Sequence, residues 1–138
     1  GFVLGLAVMA AAMRLSAVEG AKGYFIRVPD MEWKGQESHG PKTELKWILG
    51  RETPVNMEAM ASFWTTKIGP GGYNKAHSHR NEEQVYYILE GKGKLVMGGE
   101  EIMVQPGDVA YLPKTVEHAL YNEGDGYLQF VAVGAKTD

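Results

Sequence analysis

Gly71-Gly72-Tyr73-Asn74-Lys75-Ala76-His77-Ser78-His79-Arg80-Asn81-Glu82-Glu83-Gln84-Val85-Tyr86-Tyr87-Ile88-Leu89-Glu90-Gly91 is the stretch whose reading settles the fold. It opens and closes on Gly, and Val85 to Leu89 is rich in the β-branched and aromatic residues that strands favour. His77 and His79 stand at i and i+2. On an extended strand such residues point to one face, about 7 Å apart along it. Two imidazoles on one wall can converge on one metal ion, and neutral imidazole suits Zn, Cu, Fe and Ni. A lone His-X-His also arises by chance, so the pair needs support from the rest of the chain.

Working outward, short β-prone runs alternate with turn residues. Downstream, Gly91-Lys92-Gly93 turns into Leu95 to Met97, Gly98-Gly99 makes a two-residue hairpin loop, and Glu101 to Val104 returns. Gln105 to Asp108 is a turn. Val109 to Leu112, Ala119 to Tyr121 and Tyr127 to Val133 read as further strands. Upstream, Tyr24 to Val28, Glu44 to Leu49 and Met57 to Ile68 read the same way, and Arg80 to Glu83 reads as a polar loop. Met31 to Lys42 is a loop with His39 exposed in it. Short strands at this even spacing predict an all-β sandwich or barrel.

The chain has 138 residues, enough for one domain with a real core. It has no Cys, which excludes disulfides, Cys-ligated zinc, iron–sulfur clusters and thiol nucleophiles. Any soft-metal site must then use the four His: His39, His77, His79 and His118. Lys and Arg number 14 against 17 Asp and Glu, with no basic run, so a nucleic-acid partner is not expected. Residues 1–22 form an apolar N-terminal segment and residues 23–138 one β domain. The run Phe2 to Met13 is too short to span a bilayer, which needs about 20 residues. It reads as a packed helix or arm, or as a former signal or start region. Cytoplasmic placement is the default expectation, with export if that run derives from a signal.

A second stretch supports the first. After Gly107, five residues intervene before Pro113, and His118 and Asn122 follow. Together the two stretches resemble the paired motifs of the cupin superfamily, with the Lys92 to Pro106 spacer of small bacterial members. The resemblance covers about Met57 to Val133. It implies a double-stranded β-helix, or jelly-roll barrel, around a metal held by His77, His79 and His118. The fourth ligand in the family is usually Glu. The six-residue spacing to Gly91 selects Gln84 here, while a shorter gap after His79 selects Glu83. On a strand these two point to opposite faces, so only one enters the cavity. Thr115 stands where the second motif usually has Gly, and the expectation is a slightly different loop.

Four neutral ligands would leave a divalent ion, one of Fe, Mn, Ni, Cu or Zn, with its full charge. They would also leave open positions for substrate, which marks a catalytic centre. With Gln84 inward, alternation puts Tyr86 and Ile88 inward; with His118 inward, Leu120 follows, and Tyr111 is a further pocket candidate. Glu82, Glu83 and Glu117 are candidates to orient the imidazoles. The expected function is a metal-dependent enzyme on a small organic substrate, dioxygenase-type oxidation favoured. A non-redox lyase or isomerase and a binding or sensing protein are the alternatives. A homodimer is the default assembly, because sheet edges need cover.

Overall fold

The computed structural model describes residues 15–17, 24–50 and 57–138. The chain divides into two compact units, Gly1–Trp33 and Lys34–Asp138. In the first, strand β1 (Leu15–Ala17) pairs antiparallel with β2 (Tyr24–Ile26), and a single 3-10 turn follows at Val28–Asp30. Arg27 reaches Asp30 and lies over the Phe25 ring. Tyr24–Ile26 thus belongs to the first unit, and the second begins at Lys34. The apolar run Phe2 to Met13 lies outside the described residues. Among the described residues no helix is long and apolar enough to cross a membrane.

The second unit is a jelly-roll barrel of two sheets. Its strands are β3 (Lys34–Gly35), β4 (Thr43–Leu49), β5 (Met60–Ile68), β6 (Tyr73–His77), β7 (Glu82–Glu90), β8 (Gly93–Met97), β9 (Glu100–Val104), β10 (Val109–Leu112), β11 (His118–Asn122) and β12 (Leu128–Lys136). One sheet has six strands in the order β10-β7-β12-β5-β4-β3, the other four in the order β6-β11-β8-β9. Every neighbouring pair is antiparallel. Gly98 and Gly99 carry φ 58 and 85, the signs that a type I′ hairpin turn uses.

Alternation places the core. On β12, Leu128, Phe130 and Ala132 are buried while Gln129, Val131 and Val133 are half-buried. Their inward partners are Leu45, Ile68, Tyr86, Ile88, Leu95, Leu112 and Leu120. Burying each such Leu, Ile or Phe contributes roughly 1.5–3 kcal/mol. The Tyr86 and Phe130 rings stack with centroids 4.5 Å apart. Strand β7 is unusual in being apolar on both faces: Tyr86 and Ile88 point in, while Val85, Tyr87 and Leu89 point out.

Two local expectations change. Arg80 to Glu83 is not all loop, because β7 begins at Glu82, where Glu82 and Glu83 pair with Lys136 and Ala135 of β12. The His77-Ser78-His79 triplet is not all strand either: β6 ends at His77, and His79 lies beyond it.

Candidate metal centre

His77 is the last residue of β6 and His118 the first of β11, and the two are direct cross-strand partners. The ladder shifts register just beyond, between His118 and Leu120. His79 comes from the loop after β6. The ring centroids stand 4.4 Å apart for His77–His118, 4.9 Å for His77–His79 and 5.6 Å for His79–His118. One nitrogen from each of the three lies within 4.8 Å of the others. Residues that the sequence separates by about forty positions thus converge because strand pairing puts β6 beside β11.

The backbone also sets the tautomers. His77 Nδ1 lies 2.7 Å from the Lys75 carbonyl oxygen, and His118 Nδ1 lies 3.0 Å from that of Val116. A carbonyl only accepts, so each Nδ1 carries the proton and donates. In the neutral ring Nε2 then keeps its lone pair, the form that binds metal. His118 is 2% exposed, and its Nε2 has no hydrogen-bond partner in the protein. Burial, the largest influence, pulls the His118 imidazole down to about 4. The Val116 hydrogen bond works against this, and the charges of His77 and His79 add to it. His118 is therefore neutral at ordinary pH.

Gln84 is 4% exposed and faces the cavity beside this cluster. Its Nε2 donates to Glu82 Oε1 over 2.7 Å, and its Oε1 is buried with no protein partner. Glu83 points the other way and accepts a hydrogen bond from the Tyr111 hydroxyl at 2.7 Å. A buried imidazole nitrogen and a buried amide oxygen, both lacking protein partners, are donors that fit a divalent transition ion.

The cavity has about 120 Å³ of free interior space. Its lining includes His39, His77, His79, Glu82, Gln84 and Tyr86, with Leu45, Trp47, Trp64, Ser62, Thr66 and Asn74. Trp47 and Trp64 pack against each other at 5.3 Å and form an apolar wall. Burial first, then the charge of Glu82, pushes the Tyr86 phenol well above its usual range, and Asn74 partly offsets this. Tyr86 therefore stays protonated.

Several expected pocket residues lie elsewhere. Tyr111 is 52% exposed on the outer face, because β10 pairs it with Val85 rather than Gln84. Ile88 and Leu120 point inward but sit in the packed core and do not line the cavity. Glu117 is exposed, and Glu83 faces away from the cavity. Leu45, Trp47, Ser62, Thr66 and Asn74 line the cavity without a local signal in the sequence, and His39 joins them. His39 is half-buried at the cavity with its ring edge 6.1 Å from His77, where an exposed loop position was expected. Asn74 is 5% exposed. The i, i+2 step from Glu82 to Gln84 was a usable signal for Glu82; nothing local marked His39.

Comparisons with known proteins agree with this architecture. The Cupin domain family matches residues 64–134, just over half of the chain. The chain is 30% identical to the oxalate-binding protein of Thermotoga maritima, over 67% of this chain and 74% of that protein. It is also 30% identical to a glucose-6-phosphate isomerase of Pyrococcus horikoshii, over 84% of this chain and 71% of that enzyme. Among solved structures, a predicted oxalate decarboxylase from Thermotoga maritima superposes with a TM-score of 0.66 at 28% identity, over 76% of this chain and 90% of that one. KdgF from a Halomonas species superposes at 0.71 but only 17% identity, over 84% and 96%, a likeness of fold alone.

Proposed function

Because this chain belongs to the cupin family, we propose that it holds one divalent transition metal on His77, His79, His118 and Gln84 and acts there on a small ligand bearing oxygen donors. The observation that carries this reading is the convergence of three imidazole nitrogens within 4.8 Å at the cavity. The ion would be one of Fe, Mn, Ni, Cu or Zn, and would supply Lewis-acid polarisation of a bound carbonyl, carboxylate or hydroxyl oxygen.

The chain's own groups define the rest. His118 offers a neutral donor across the ordinary pH range. Trp47 and Trp64 exclude water on one part of the wall, while Asn74 and Ser62 provide polar contacts. Glu82 brings a carboxylate into the cavity, which the neutral Gln84 does not.

We favour non-oxidative chemistry of the isomerase or lyase type. The likeness to a protein named as an isomerase supports it, as does the carboxylate on the cavity wall. Dioxygen-dependent oxidation is the second reading, favoured by the neutrality of all four donors. A small-molecule binder without turnover is the third.

The test is the metal content of protein purified without added metal, for the wild type and for His77→Ala. Near-stoichiometric transition metal that is lost in the variant is expected. No metal, and none taken up on titration, would sink the reading. The loaded protein is then incubated with small hydroxy and keto acids and sugars in D₂O without O₂, followed by NMR. Exchange or isomerisation without O₂ supports the first chemistry; turnover only in air supports the second.

A further inference from the structure

We infer that Glu82 is a positioning residue, which locks the Gln84 side chain so that its oxygen, not its nitrogen, is presented to the histidines. The inference rests on the metal reading above and concerns how that site is kept ready. A Gln amide has two ends of nearly equal shape and opposite polarity. Only the oxygen end can serve a cation; the NH₂ end would repel it. Something must choose between them.

Glu82 makes that choice. It lies two residues before Gln84 on β7, on the same face of the strand. The Gln84 Nε2 donates to Glu82 Oε1 across 2.7 Å. An ionised carboxylate accepts and never donates, so the amide cannot turn around without losing this bond and setting oxygen against oxygen. The other end, Oε1, is buried and without a protein partner. An unpartnered buried acceptor is destabilising, and a bound cation would give it a partner.

The surroundings are shaped for this arrangement. Gly134 of β12 is the cross-strand partner of Gln84. A Cβ built at Gly134 would collide with Glu82 Oε1 and approach Ser62 Oγ to 3.1 Å. The bare Cα of Gly134 thus leaves the room that the Glu82 carboxylate occupies. The negative charge that the family motif usually places on the metal is here set one step back, where it orients a neutral ligand.

Co(II) alone is the probe, followed by its visible absorption bands in a titration. Glu82→Gln can pair with Gln84 in either orientation, and Glu82→Asp keeps the charge but is too short to reach the amide. Each is expected to weaken Co(II) binding about ten-fold. In a Gln84→Ala background the same changes are expected to alter it by no more than about two-fold. Equal losses in both backgrounds would overturn the inference, since Glu82 would then act through space as a charge. So would a Glu82→Asp variant that binds like the wild type, or no loss in either background. A wild type that takes up no Co(II), or a His77→Ala variant that binds as well as the wild type, would instead overturn the metal reading, and this inference with it.

Discussion

The backbone N–H of Thr115 donates to the carbonyl oxygen of His79 across 2.7 Å, with Thr115 itself at φ 69. This bond ties the loop before His118 to the residue that supplies a second imidazole. Thr115 thus adopts a left-handed conformation, one that Gly takes with less strain. Such a conformation costs a residue with a Cβ about 1–2 kcal/mol, and the hydrogen bond to His79 helps to hold it.

Thr115→Gly should relieve that strain, less the chain entropy that Gly loses on folding. The expected net gain is about 0.5–1 kcal/mol, seen as a rise of a few degrees in a thermal melt. Thr115→Pro forbids a positive φ and removes the donor. It should lower stability by several kcal/mol and impair metal uptake. A Gly variant that melts lower than wild type would mean that the Thr side chain contributes more than its backbone conformation costs.

The metal-free protein should lose stability in mild acid through His118. Its pKa falls from 6.5 in the unfolded chain to about 4 in the fold, so the unfolded state binds the extra proton between those values. Stability is full above pH 6.5 and declines as pH drops toward 4, by roughly 2–3 kcal/mol. Urea titrations of the metal-free wild type and of His118→Asn across this window should differ in slope. Parallel profiles would refute the assignment.

Gly134→Ala should displace the Glu82 carboxylate from its place against β12. The expected outcome is a small change in melting temperature, because the group displaced is the free end of a flexible side chain, with weaker Co(II) binding. Combining it with Glu82→Ala should not restore the affinity. A Gly134→Ala protein with unchanged melting and Co(II) titration would show that the space is not needed.

Gln84→Glu alone would set two carboxylates side by side where a hydrogen bond now joins an amide to an acid. The exchange Glu82→Gln with Gln84→Glu moves the charge onto the ligand and keeps the pair complementary. The double variant should bind Co(II) more tightly than either the wild type or Gln84→Glu. Equal affinity for the double variant and Gln84→Glu would show that position 82 does not influence position 84.

Much of this was legible in the sequence, and the limits have a physical basis. The turn residues and their spacing located the strands, because Gly98-Gly99 and Gly69 to Gly72 act locally. The motif spacing brought out His77, His79, His118 and Gln84 for the same reason: each motif is a short-range pattern. The place of His39 at the cavity depends on a distant partner, which no local pattern announces. The Lys75 N–H donates to the His39 carbonyl oxygen at 2.7 Å and draws that loop beside β6. The outward direction of Tyr111 is set by its pairing with Val85, a matter of register between strands. The strand character of Glu82 comes from β12, whose residues lie some fifty positions away, so no local pattern marks it.

The two-faced character of β7 has a consequence for how this chain reaches its folded state. A slip of one residue would exchange Tyr86 for Tyr87 and Ile88 for Leu89, near-equal side chains, so packing opposes it only weakly. The same slip would carry Val85 into the cavity in place of Gln84, and Glu83 into the place of Glu82. The identity of the fourth donor is thus a matter of alignment between neighbouring strands. Gly91 guards it, since a Cβ there would collide with the Tyr127 carbonyl and lie 2.9 Å from Leu128 Cα. A misaligned barrel would be a compact kinetic trap whose metal site lacks its fourth donor, distinguishable from the native form by its metal chemistry before any difference in shape.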